Sequence, residues 1–110
     1  MSAIGRRAVV IGAGMGGLAA AGALVGHFDD VVVLERDSLP ERPDHRAGAP
    51  QGRHVHALLT AGQQALEQLL PGFTDGIVAA GAVTRRGAIV PSCSPIFGTV
   101  PPKLAGVRVR

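Results

Sequence analysis

Val9-Val-Ile-Gly-Ala-Gly-Met-Gly-Gly-Leu18 is the stretch on which the fold turns. It carries Gly-x-Gly-x-x-Gly at Gly12, Gly14 and Gly17. Glycine spacing alone says little in a chain with 16 glycines, so its context matters. Residues 6–11 form a β-branched apolar run that stops at Gly12, which predicts a short buried strand. Residues 14–25 are small and apolar and predict a helix from Met15 to Val25. Val31-Val-Val-Leu34 predicts a second buried strand, and Glu35 closes it. Continuous rather than alternating apolarity suits a parallel sheet covered on both faces. Strand, glycine turn, helix, strand and terminal acid together are the context in which this motif binds a dinucleotide. Gly12 permits the tight turn, Gly14 leaves room for a pyrophosphate against the backbone, and Gly17 lets helix and strand pack closely. The free amides at the helix start, with the helix dipole, face the phosphates.

Outward from that unit, Glu35 stands 18 residues after Gly17, where a carboxylate accepts hydrogen bonds from ribose hydroxyls. The plain alternative is a solvated acid at a strand end; the glycine pattern favours the ribose role. Glu35 would repel a 2′-phosphate, which argues against NADP here, whereas Arg36 would counter that repulsion. Residues 36–52 read as a long polar loop with Pro40, Pro43 and Pro50, and loops of this length are usually functional. Arg46 in this loop is either a charge-assisted phosphate donor or a solvated arginine. Residues 53–70 predict a helix, with apolar or small residues at Val55, Leu58, Leu59, Gly62, Leu66, Leu69 and Leu70, ended by Pro71-Gly72. Residues 77–80 read as the start of another short element, and Gly106-Val-Arg-Val-Arg110 as a strand.

Composition narrows the classes. At 110 residues there is room for one domain, and 46% hydrophobic with 17% charged residues argues against disorder. Three Phe, no Trp and no Tyr argue against a single-stranded nucleic-acid binder built on stacking. The net charge of +3 divides unevenly. Residues 1–84 hold six Arg against eight acids, or −2, while residues 85–110 hold five cations and no acid, or +5. The basic character belongs to a Pro/Gly-rich tail, taken as irregular, and not to the domain, so no nucleic-acid partner is expected. The uncharged run Ala8–Gly26 is long enough to cross a bilayer, but its six glycines make it poorly apolar and poorly helical. No membrane span is expected, and the expected location is cytoplasmic.

The reactive side chains add little. His54 and His56 are two residues apart, which does not place both on one helix face, and no acid or Cys stands close by to complete a site. No metal is expected; one of these histidines orders the loop or lines a pocket. Cys93, the single cysteine, has no neighbouring His, and excludes an internal disulfide framework.

The segment Val31-Val-Val-Leu-Glu-Arg-Asp37, taken with the glycine stretch, resembles the amino-terminal region of FAD-dependent oxidoreductases. More narrowly, three stretches are similar to bacterial flavoprotein monooxygenases related to para-hydroxybenzoate hydroxylase and polyprenyl-phenol hydroxylases. They are Glu35-Arg-Asp-Ser-Leu-Pro40, Pro50-Gln-Gly-Arg-His-Val-His-Ala-Leu-Leu59 and Leu66-Glu-Gln-Leu-Leu-Pro-Gly-Phe73. The resemblance covers residues 6–83 and implies that Gly12, Gly14, Gly17 and Glu35 hold the ADP half of FAD. It also implies that Arg46 reaches the ribityl–pyrophosphate region. The reaction implied is reduction of FAD by NAD(P)H, activation of oxygen on the flavin and hydroxylation of an organic substrate that the residues do not specify.

Two departures stand against this. The family runs to several hundred residues and has a later Gly-Asp motif and a substrate-binding sheet, which these 110 residues lack. Residues 85–103 do not match the family text and fit a truncated or frame-shifted reading frame, or an insert. The expected architecture is α/β: a partial Rossmann-like βαβ unit with a following helix over 1–84, then an irregular tail over 85–110. The expected site residues are Gly12, Gly14, Gly17, Glu35, Arg36 and Arg46. The competing functions are the FAD-binding portion of an oxidoreductase, a stand-alone ADP- or NAD-binding module, and a non-catalytic fragment. By itself the chain is not expected to turn over. Its oligomeric state is not specified by the sequence.

Overall fold

The computed structural model describes residues 2–41, 44–48, 50–54, 56–90 and 106–110. Val55, Pro43, Cys93 and most of the basic tail lie outside the described residues. Strand β1 (Gly5–Ile11), helix α1 (Met15–Leu24) and strand β2 (Phe28–Leu34) follow the predicted order. β1 and β2 are parallel, with Ala8 opposite Val31 and Val10 opposite Val33. β6 (Val107–Val109) joins the far edge of β2, also parallel, giving the order β1-β2-β6. The protein is therefore a mixed α/β structure built on a three-stranded parallel sheet.

Alternation along the strands sorts their two faces. Ala8, Val31 and Val33 form a buried cluster with Leu18 and Ala21 of α1, and Val10, Val107 and Val109 pack against it. Burying a valine contributes on the order of 1.5–3 kcal/mol, and Val31 and Val33 are fully enclosed. The opposite face carries Val9, Ile11 and Leu34, which stay exposed, and Val32, which is buried. Covering on both faces, expected from the apolar run, is thus complete on one face and partial on the other among the described residues. β2 also starts earlier than its apolar run, at Phe28. It carries Asp30 because that carboxylate accepts hydrogen bonds from Arg7 of β1 and Arg108 of β6.

Helix α2 (Thr60–Leu69) starts later than the predicted 53–70. Pro50–Arg53 form a 3-10 turn instead, and Leu58–Leu59 form the short strand β3. β3 pairs with β5 (Ala88–Val90), so the apolar residues at the predicted helix start serve a sheet edge. Residues 77–79, expected to begin an element, are instead the end of helix α3 (Phe73–Ala79). The Glu67 carboxylate accepts the amides of Gly72 and Thr74 and so starts that helix directly after the turn. Leu70, Phe73 and Ile77 form a second core cluster against which Met15 of α1 and Val107 of β6 pack.

The tail is more regular than expected. β4 (Val83–Arg85) and β5 form an antiparallel hairpin turning at Gly87, whose φ of 80° suits glycine. β6 places the last residues of the chain in the main sheet.

Candidate functional site

The carboxyl ends of β1 and β2 open into a cavity of about 520 Å³, within the roughly 300–1,000 Å³ usual for small-molecule sites. It is lined by Gly12, Gly14, Met15 and Gly16 at the turn and helix start, by Ile11, Leu34, Glu35 and Arg36 at the strand ends, and by Arg46, Gly48 and Gln51 of the following loop. Five of the six expected site residues line it; Gly17 does not.

Gly12 turns the chain out of β1 with φ of 94°, a conformation that side chains disfavour. Its amide donates to the Leu34 carbonyl at 2.7 Å, anchoring the turn to β2. A Cβ on Gly17 would overlap the Gly12 carbonyl oxygen, so the helix sits against the turn only because residue 17 is glycine. Gly14 is the N-cap of α1, and no other atom lies within 4 Å of where its Cβ would be. The first helical bond runs from the Leu18 amide to the Gly14 carbonyl. The amides of Met15, Gly16 and Gly17 therefore have no acceptor within the helix, and no acid occupies its first turn. An anion is the natural complement of such an end.

Glu35 and Arg46 meet across the turn. Glu35 Oε2 accepts the Ala13 amide at 2.6 Å, and Oε1 accepts the Asp37 amide at 3.0 Å. Arg46 Nη2 donates to the Ala13 carbonyl at 3.1 Å. Peptide groups on both sides of Ala13 are thereby gripped, one by each charge. Arg46 Nη1 lies 3.3 Å from Glu35 Oε2, an ion pair whose alignment falls short of a hydrogen bond. The Arg46 side chain is only 4% exposed, and its Nε and Nη1 have no hydrogen-bond partner. The expected alternative of a solvated loop arginine is excluded by this burial. Two backbone donors, from Asp37 first and Ala13 second, hold the Glu35 carboxyl below its ordinary value. Burial opposes them, and the Arg46 charge adds to them.

Arg36 is 84% exposed and pairs with Asp37 at 3.5 Å, so it borders the cavity without being fixed by it. The site has one participant that the motif did not flag. Asp37 Oδ2 accepts the Gly48 amide at 2.7 Å and ties the Arg46 loop to the end of β2. His56 Nε2 donates to the carbonyl of Gln51 at 2.8 Å and so orders the loop, as one histidine was expected to, without lining the cavity. Among the described residues, no group of three or more His, Cys, Asp or Glu could hold a metal ion. Among them, too, no helix is long and apolar enough to cross a membrane.

The cavity brings together open backbone at Gly14, helix amides without an acceptor in the helix, a carboxylate at the strand end and a buried cation with unsatisfied donors. No family model matches the chain. Over 74 residues, 67% of its length, the chain is 50% identical to Protein Rv3254 of Mycobacterium tuberculosis (strain ATCC 25618 / H37Rv). That stretch spans 16% of the relative's own length.

Proposed function

We propose that this chain is the FAD-binding portion of a flavin-dependent oxidoreductase, with a Rossmann-like βαβ unit holding the ADP half of the cofactor. The narrower form of the proposal is an NAD(P)H-dependent monooxygenase. It draws on the resemblance of Pro50–Leu59 to flavoprotein hydroxylases and concerns a longer protein. The observation that carries the proposal is the pairing of open backbone at Gly14 with Arg46, buried and short of hydrogen-bond partners. A buried guanidinium with unmet donors is costly, and a diphosphate in the cavity would set negative charge beside it. Gly12 and Gly17 shape the turn, Glu35 takes the ribose hydroxyls, and Arg36 borders the adenosine end. When bound, FAD supplies acceptance of a hydride from NAD(P)H and activation of oxygen; the protein positions it.

A second reading, a stand-alone ADP- or NAD-binding module, is favoured by one observation. The lining residues Gly12, Gly14 and Glu35 are assigned to an ADP portion, and no lining residue is assigned a contact to an isoalloxazine ring. Titration separates the two. The purified chain is mixed with FAD, ADP, NAD and FMN, followed by calorimetry and by the visible flavin bands. Binding of FAD and ADP in preference to NAD, with indifference to FMN, is the expected result, and NAD bound as tightly as FAD would support the second reading. Binding of FMN but not ADP would overturn the assignment of the glycine turn.

A further inference from the structure

We propose that Asp37 is the positioning residue of this site, a clasp that fastens the 44–48 loop over the glycine turn and so delivers Arg46 to Ala13. The inference rests on the dinucleotide reading above and adds to it a residue that touches no ligand. Two hydrogen bonds meet at Asp37. Its amide donates to Glu35 Oε1 at 3.0 Å, which holds the acid that faces the turn. Its Oδ2 accepts the Gly48 amide at 2.7 Å, two residues beyond Arg46. A Cβ on Gly48 would overlap that same carboxylate, so a side chain at residue 48 would displace Asp37 from its bond to the loop. Arg46 completes the circuit through the Ala13 carbonyl and Glu35. The strand end, the loop and the glycine turn form one closed ring of contacts, and the Asp37–Gly48 bond closes it.

Charge makes the role specific. An anion beside a diphosphate site repels its ligand, so Asp37 has no favourable direct interaction to offer a phosphate. The exposed pair with Arg36 compensates only weakly, as surface pairs do. Removing the charge alone should therefore not harm binding, whereas removing the acceptor should. Asn keeps a neutral acceptor oxygen and Ala keeps none.

The test is calorimetric titration of the full 110-residue chain and its variants with ADP, with the thermal midpoint and the exchange rate of the Gly48 amide recorded for each. Asp37→Ala should bind ADP about tenfold more weakly, the scale of one hydrogen bond to a charged group, and should expose the Gly48 amide to exchange. Asp37→Asn should restore affinity to within about twofold of the parent, since it restores the bond. Gly48→Ala leaves every charge in place and reads the clasp independently of whether Asp37→Ala folds. It should weaken ADP binding when Asp37 is present, and add little once Asp37 is Ala and the overlap is gone. Equal effects of Asp37→Ala and Asp37→Asn would overturn the clasp in favour of a charge effect. A parent that binds ADP beside an Asp37→Ala that binds equally well would overturn the clasp and leave the dinucleotide reading standing. A parent that does not bind ADP would overturn both.

Discussion

At the scale of single residues, the glycine turn separates shape from binding. Gly14 has φ of −75° and ψ of −178°, extended backbone that valine adopts readily, and its Cβ position is open. Gly14→Val should therefore lower the thermal midpoint only modestly, through a poorer N-cap, while abolishing ADP binding. A variant that binds ADP as well as the parent would show the turn to be only structural. Glu35→Ala acts differently, because it removes the proposed ribose acceptor and also leaves the Ala13 amide without its partner and the Arg46 guanidinium without its ion pair. We expect ADP to bind more weakly by roughly 1.5–3 kcal/mol, as for a hydrogen bond to a charged group. Calorimetry should find FMN indifferent to the change. Gly12, Gly14, Gly17 and Glu35 were legible in the sequence because their roles depend on neighbours within one βαβ unit. Arg46 was legible as a candidate but not as a buried one, since burial depends on where a long loop settles. Asp37 was not legible at all as a holder of the loop. Its partner Gly48 is 11 residues away, and nothing in the intervening Pro-rich text announces the meeting.

At the scale of elements, α1 and α2 touch through glycine. A Cβ on Gly22 would lie 2.5 Å from the Leu69 carbonyl oxygen and 2.8 Å from Leu70 Cδ2. Alanine improves intrinsic helix stability over glycine by roughly 0.5–1 kcal/mol. The overlap with backbone outweighs this, because forcing extra volume into a packed contact costs roughly 1–3 kcal/mol. Gly22→Ala should thus lower the urea midpoint, and a raised midpoint would mean that the helices are not pressed together there. The sequence located β1, α1 and β2 because their apolar runs are uninterrupted. It misplaced the start of α2 because Leu58 and Leu59 satisfy a helical spacing while serving a strand that pairs with residues some 30 positions later. It also missed the beginning of α3, where a Glu67 carboxylate on the preceding helix replaces a local capping residue.

At the scale of the whole molecule, acid stability follows from two carboxylates. Asp30 is held below its ordinary value of 3.8 by hydrogen bonds from Arg108 and then Arg7, and Glu35 below 4.5 by backbone donors. A carboxyl that is a stronger acid when folded favours folding at pH above its unfolded value. Both contributions are therefore complete above those ordinary values and are lost as pH falls through the lowered ones. Urea midpoints should hold steady through neutral pH and decline from about pH 4.5 downward, with a smaller decline in Asp30→Asn. A midpoint unchanged down to pH 3 would contradict the pairing. The sequence exposed Gly106–Arg110 as a strand but could not supply its neighbour. That neighbour is β2, and the Arg108–Asp30 bond across the two strands joins residues 78 positions apart. The bond carries a consequence for timing. β1, α1 and β2 can assemble from contacts near in sequence, whereas the outer edge of β2 must wait for Val107–Val109, more than 70 positions later. Loops of this length close slowly compared with local contacts. Throughout that interval the amides and carbonyls of Val31–Val33 face outward, a nascent edge able to recruit strands from other copies. The distance along the chain between β2 and β6, and not only the energy of the finished sheet, thus sets how long that edge stays open.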